Sequence, residues 1–337
     1  MSQRATIFGC SGMTLSSAER DFFREAQPWG FIVFKRNIDN PEQLRALTGE
    51  MREAVGWNAP ILVDQEGGRV QRMRPPHWPS YPPGRAYNNP AIPLGEREAL
   101  ARLGARLIAR DLIDVGITVD CLPVLDVPSP GAHDIIGDRS YADDPQTVAQ
   151  IGRAAALGLL DEGVLPVVKH IPGHGRAGVD SHFSLPVVDA SLAELVAHDF
   201  APFRMLNDLP LGMTAHVVYT AIDPDDCATN SRRVIDEIIR GHIGFDGLLM
   251  SDDLGMKALG GSFASRSKAL FAAGCDLALH CSGDMAEMQE VAANAPLLDG
   301  KALERANRAI ARLEPARTDF DPVDARARLE AMLALVS

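Results

Sequence analysis

The sequence predicts an α/β fold, a (β/α)8 barrel of the TIM type. Three observations lead there. Short apolar or β-branched runs alternate with amphipathic stretches almost to the end of the chain, and eight such runs occur, at 5–8, 30–35, 60–64, 117–126, 165–170, 211–216, 247–252 and 276–280. Several end abruptly in a polar residue (Asp64, His170, His216, Asp252), as strands do when they deliver reactive groups to the C-terminal mouth of a barrel. An open doubly wound sheet would carry a glycine-rich phosphate turn after its first strand, and neither GxGxxG nor GxxxxGK(S/T) occurs there.

The connecting stretches read as helices, EALARLGARLIARDLIDVG and TVAQIGRAAALGLLDEG among them, with Gly116, Gly163 and Gly274 placed as left-handed C-terminal caps before the next strand. Strands joined by helices pair in parallel through right-handed crossovers. The segment MRPPHWPSYPPGRAYNNP (73–90) reads as a substantial loop, and residues 299–337 as helices packed on the outside. No linker-like stretch interrupts residues 1–337, so a single barrel domain is expected.

Composition narrows the function. The 337 residues are 46% hydrophobic and 23% charged, enough for a large core and unlike a disordered chain. The net charge of -12 and pI near 5.2, without a basic stripe, argue against a nucleic-acid partner. The N-terminus MSQRATIFGCSGM has no apolar h-region, and no run approaches a membrane span, so a cytoplasmic location without membrane attachment is expected. Cys10, Cys121, Cys227, Cys275 and Cys281 are scattered, odd in number and without CxxC spacing, which fits reduced thiols in packing roles.

Four segments carry chemistry. In VVKHIPGHGRAGVDSH (167–182) a buried strand delivers Lys169 and His170, and a loop then carries His174, Asp180 and His182. Asp180 and His182 are two apart, so in an extended loop they leave on the same face; a carboxylate beside an imidazole fixes its tautomer and favours its protonated form. Such an imidazole can give a proton to a leaving oxygen, although a loop histidine simply tied down by a carboxylate would look the same. In GFDGLLMSDDLGM (244–256), Asp252 falls at a strand end as a nucleophile, metal ligand or helix cap, with Asp253 better suited to capping or support. In ILVDQEGGRVQRMR (61–74), Asp64 followed by Arg69 and Arg72 makes a grip for sugar hydroxyls or a carboxylate, or a surface ion pair. In IIGDRSY (135–141), a loop after the fourth run can aim Arg139 inward.

Together these segments resemble glycoside hydrolase family 3, specifically its single-domain bacterial β-hexosaminidase branch. VDQEGGRVQR, KHIPGHG followed by DSH, and SDDLGM occur in the family's order and spacing, joined by FKRN after the second run and AHVVY after the sixth. The resemblance implies a retaining exo-β-N-acetylglucosaminidase with Asp252 as nucleophile, His182 as acid/base and Asp180 as the partner orienting it. It implies substrate contacts at Asp64, Arg72, Arg139, Lys169 and His170, pocket-shaping roles for His174 and His216, and no metal or organic cofactor. A histidine would then stand where most retaining glycosidases place a second carboxylate, on a loop that Gly173, Gly175 and Gly178 let close over the sugar. The implied partner is a small glycan, N-acetylglucosamine linked β-1,4 to anhydro-N-acetylmuramic acid with or without its peptide, met during cell-wall recycling by a monomeric enzyme. The rival readings are a phosphorylase using inorganic phosphate in place of water, a metal-dependent barrel hydrolase and a non-catalytic sugar-binding barrel.

Overall fold

The computed structural model describes residues 3–178, 185–314 and 320–334. Among them, eight strands form one parallel sheet: β1 Arg4–Phe8, β2 Pro28–Val33, β3 Ile61–Val63, β4 Val119–Asp120, β5 Leu165–Ile171, β6 Leu211–Thr214, β7 Leu248–Met250 and β8 Ala278–His280. They neighbour one another in chain order from β1 to β7, and β8 pairs with β1. A parallel bridge between Met250 and Leu277 joins the two ends, with the Ser251 N–H donating to Leu277 O at 3.0 Å. The sheet is therefore a closed barrel.

The strand pleat sorts side chains into two layers. Ile7, Ile32, Leu62, Leu165, Val167, Leu211, Met213, Leu248, Met250 and Leu279 share the barrel interior. Phe8, Phe31, Val33, Ile61, Val63, Val168 and Leu249 pack outward into the apolar layer beneath the helices. Because both faces are buried, the strands read as continuous apolar runs rather than as alternating ones.

The helices begin where sequence chemistry directs. Helix α1 (Ser17–Ala26) starts in a reciprocal cap, the Ser16 hydroxyl accepting from Glu19 N–H and the Glu19 carboxylate from Ser16 N–H. Asn40 caps α2 (Pro41–Val55) and Asp144 caps α4 (Pro145–Asp161); in each the proline at the first position supplies a preset φ where an N–H would have had no acceptor. Helix α3 (Leu94–Asp114) lies between these two and packs along α4. After β6 come α5 (Val234–His242), wound with i→i+5 bonds, then α6 (Phe263–Ala273), which ends at Gly274 with φ 103°, the left-handed position anticipated for that glycine. Helix α7 (Met285–Asn294) precedes α8 (Gly300–Ile310), whose Ala306 and Ala309 join the barrel's interior cluster, and α9 (Pro322–Ala334) packs on α3. Among the described residues no helix is long and apolar enough to cross a membrane.

The fourth strand is much shorter than the run 117–126. Regular pairing covers Val119–Asp120 alone, with a single further bridge from Val124 to Lys169. Pro123 has no N–H to give the ladder, which breaks its regularity. Asp120 faces away from the interior cluster that holds Val119 and Cys121. One of its oxygens accepts from the Gln65 N–H at 3.0 Å, and the other is buried with no partner among the described residues.

Burial pushes the Asp120 carboxyl up to about 8; the Gln65 N–H and Lys169 oppose this, while Asp64 and Glu66 add to it. A folded-state pKa above the unfolded one means that this group favours folding most at low pH, and that its contribution is lost as pH rises from about 4 towards 8. Asp120→Asn removes that titration. Relative to the parent, the variant should gain stability across this window by roughly 1 kcal/mol per pH unit, then level off. Denaturant unfolding of both proteins from pH 5 to 9 tests this, and a gap that does not change with pH would refute it.

Candidate active site

At the C-terminal mouth of the barrel lies a cavity of about 370 Å³. Its polar lining follows from the pleat. Phe34, Asp64, Lys169, Asp252 and Cys281 each stand two residues beyond an interior residue (Ile32, Leu62, Val167, Met250 and Leu279), so they continue the inward register as the strands run out. The Lys169–His170 peptide is cis, the pairing of β5 with β6 shifts register there, and both side chains line the cavity.

The wall is a chain of ion pairs. Arg72 Nη2 donates to Asp64 Oδ2 at 2.7 Å, and Lys169 Nζ donates to Asp64 Oδ1 at 3.0 Å. Lys169 Nζ also lies 2.6 Å from Glu66 Oε1. Arg139 grips Glu66 with two bonds of 2.8 Å, from Nε and Nη2. Burial alone would raise the Asp64 carboxyl, but Lys169 and Arg72 override it and hold it well below the carboxylate range. Burial would likewise strip Lys169 of its proton, and Asp64 and Glu66 keep it charged.

A second cluster stands beside this wall. Asp126, fully buried, accepts from His170 Nδ1 at 2.7 Å and from the backbone N–H groups of His170 (3.1 Å) and His174 (2.6 Å). Burial works to raise its pKa, but His170 and the His174 N–H win and bring it down to about 2. Holding Nδ1 leaves Nε2 as the nitrogen through which His170 can address the cavity. His174 lines the cavity as well; burial, reinforced by His170, lowers it to about 4, so its imidazole is neutral near pH 7.

Asp252 follows β7 and lines the same cavity as the cationic wall, one of its oxygens accepting the Asp253 N–H at 2.8 Å. Asp253 supports the turn, its Oδ1 accepting from Gly255 and Cys281 N–H at 3.0 Å. His216 does not line the cavity. It is buried between the Thr229 hydroxyl (2.7 Å) and the Asp253 carbonyl (3.0 Å), where it braces the chain behind Asp252.

Asp180 and His182 lie outside the described residues. The chain leading towards them is pinned: the Tyr219 hydroxyl donates to Gly173 O, the Ser129 N–H to Gly175 O at 3.2 Å, the His133 N–H to Ala177 O at 2.8 Å, and Arg176 Nε to Asp199 Oδ2 at 2.6 Å. Gly173 and Gly175 lie within this pinned stretch. A Cβ on them would lie 2.9 Å from Asp199 O and 1.9 Å from Val127 O, so these glycines permit close backbone approach, whereas among the described residues nothing lies within 4 Å of a Cβ on Gly178. Arg69 also departs from the expected grip. It reaches away from Asp64 to the Asp138 carboxylate (3.1 Å) and to the carbonyls of Asp134, Ile135 and Ile136, which steadies the loop that carries Arg139.

Two residues in the site escaped the sequence reading. Glu66 stands two beyond Asp64, the same-face spacing used for Asp180 and His182, and Asp126 ends its run as Asp64 and Asp252 end theirs. The signals were present. Glu66 lies inside the motif of Asp64 and Arg72, and Asp126 closes the fourth apolar run.

Residues 11–313 match the profile of the glycosyl hydrolase family 3 N-terminal domain. The chain is 40% identical over 284 residues to a β-hexosaminidase of Alkalilimnicola ehrlichii, covering 82% of this chain and 80% of that one. It superposes with a TM-score of 0.85 on NagZ from Neisseria gonorrhoeae, solved in complex with N-trifluoroacetyl-D-glucosamine, at 31% identity over 100% of this chain and 98% of that one. It also superposes, with a TM-score of 0.81 and 28% identity, on a family 3 β-N-acetylglucosaminidase from Paenibacillus sp. str. FPU-7; 96% of this chain is covered, and it spans 66% of that longer one. The match over most of the chain in sequence and in fold shows that the chain belongs to glycosyl hydrolase family 3 as a glycoside hydrolase of the β-N-acetylhexosaminidase type.

Proposed function

We propose that the chain is a retaining exo-β-N-acetylglucosaminidase that releases terminal N-acetylglucosamine from β-1,4-linked anhydro-N-acetylmuramic acid, with or without its peptide. The observation that carries the reading is the meeting of Asp252 with the Asp64, Lys169 and Arg139 wall around one cavity of sugar size. The acylated glucosamine held by the gonococcal NagZ supports the choice of sugar. A recycling role in the cytoplasm, as a monomer acting on a soluble glycan, belongs to the same proposal.

In this mechanism the sugar enters with its hydroxyls against Asp64, Arg72, Arg139, Lys169 and His170. Asp252 attacks the anomeric carbon, forming a C–O bond as the glycosidic C–O bond breaks, and His182 gives its proton to the departing oxygen. Asp180 orients His182 and favours its protonated form. Water then attacks the glycosyl–Asp252 ester while His182 takes the water's proton, which frees N-acetylglucosamine with its configuration retained. Bonds from the wall to the hydroxyls strengthen as the ring flattens towards an oxocarbenium-like state.

Asp252→Ala should reduce release of N-acetylglucosamine from an aryl β-glycoside by about 10⁴-fold or more, and a 5-fluoro N-acetylglucosaminyl fluoride should label Asp252 in a tryptic digest. Label on any other residue would overturn the nucleophile assignment. For His182→Ala, the loss should be far smaller with a good aryl leaving group, which needs little protonation, than with an alkyl one; equal losses would remove His182 from the acid role. Incubation with N-acetylglucosaminyl-anhydromuropeptides, followed by chromatography of the products, should show free N-acetylglucosamine and the anhydromuropeptide. Intact starting material, beside active turnover of chitobiose, would overturn the aglycone.

A further inference from the structure

We infer that Glu66, which borders the cavity with its carboxylate turned to the wall, is a positioning residue of the hydrolytic reaction, one that acts on substrate through Lys169 and Arg139. The inference rests on the reading that these two cations hold the sugar. Both oxygens of Glu66 are committed: Oε1 to Lys169 Nζ and Arg139 Nη2, and Oε2 to Arg139 Nε. Its side chain is 3% exposed, against 15% for Asp64, which keeps a face open to the cavity.

The geometry explains why a carboxylate is needed. Lys169 and Arg139 are like charges converging on one wall, and a buried cation without a counter-charge is strongly disfavoured. Glu66 sits between them and holds both. Asp64 cannot take over, because its second oxygen is bound to Arg72. Without Glu66, Arg139 would keep a 3.2 Å bond to Ile135 O as its contact to that loop, and Lys169 would follow Asp64 alone. Glu66 is in turn held by its backbone. It lies in a ribbon, Gln65–Gly67 paired with Val70–Gln71, whose Gly67 has φ 93° and approaches Pro82 O too closely for any Cβ.

The test is a double-mutant cycle in the full chain with an aryl N-acetyl-β-glucosaminide, each variant also checked by thermal melting so that rates refer to folded enzyme. Glu66→Gln, which keeps shape and removes charge, should lower kcat/KM about 100-fold, chiefly in kcat. Glu66→Asp, which keeps charge on a shorter arm, should recover part of the loss. Lys169→Met should lower kcat/KM by itself, and adding Glu66→Gln to it should cost much less than in the parent, since the pair then acts as one unit. Should Glu66→Gln not fold, the cycle with Glu66→Asp decides. A Glu66 variant that melts earlier yet keeps parental kcat and KM, or losses that multiply in full with Lys169→Met, would overturn the inference while leaving the sugar-holding role of Lys169 intact. An inert Lys169→Met would instead overturn that role, and this inference with it.

Discussion

Lys169 is a charged amine buried at the end of a barrel strand, and the mouth of the barrel is arranged around that charge. An ammonium in this position is tolerated only with close counter-charges. Asp64 at 3.0 Å and Glu66 at 2.6 Å supply two, one more than neutrality needs. Arg72 and Arg139 restore the balance from the outer sides, which gives an alternating series with one net positive charge. The series draws on the end of β3, the ribbon after it, the loop after β4, and β5. Four separate segments must therefore lie within hydrogen-bond distance of one another before the wall exists. That requirement fixes the shape of the cavity more firmly than the apolar residues around it, which adapt to small displacements at lower cost.

The barrel was legible because its two-sided burial makes every strand a short apolar run, and eight of these separated by helix-length stretches leave few topologies. Residues at strand ends were legible for the same reason: the register that places Leu62 inside also places Asp64 inside. The limits of the reading have equally physical origins. The regular ladder of the fourth run stops at Asp120, and the chain beyond it, with Pro123, bonds to β5 only irregularly, a break that apolar composition does not reveal. Gly173 and Gly175 look like hinges in one dimension, since sequence cannot show that Val127 and Asp199 press against them. Arg69 and Arg72 are three apart and alike in kind, yet one turns to Asp64 and the other to the loop of Asp138. Which arginine faces a site depends on the path of the backbone between them, and no spacing rule carries that information.

His216 illustrates the weight of ordinary explanations. It closes an apolar run in a motif full of functional residues, and its two nitrogens are nevertheless taken up by Thr229 and the Asp253 carbonyl. Its contribution reaches the site by way of the backbone that presents Asp252. His174, eight residues before His182, does line the cavity, and its neutrality matters more than its position. Burial and the neighbouring His170 keep its imidazole uncharged near pH 7, although Asp126 and Asp252 pull the other way.

The distribution of charge then follows the needs of glycosyl transfer. Positive charge is concentrated on the wall of Arg72, Lys169 and Arg139, where a sugar presents hydroxyl oxygens. Asp126, a carboxylate that might otherwise compete with Asp252 for a developing cation, is committed to His170 and two backbone N–H groups. His174, whose imidazole is neutral near pH 7, lines the same cavity as Asp252 and adds no fixed positive charge of its own there. In the proposed reaction, a ring that gains positive character at its anomeric carbon meets Asp252 there and the cationic wall at its hydroxyls. Burying the lysine between two carboxylates is what lets that charge persist at the mouth of the barrel.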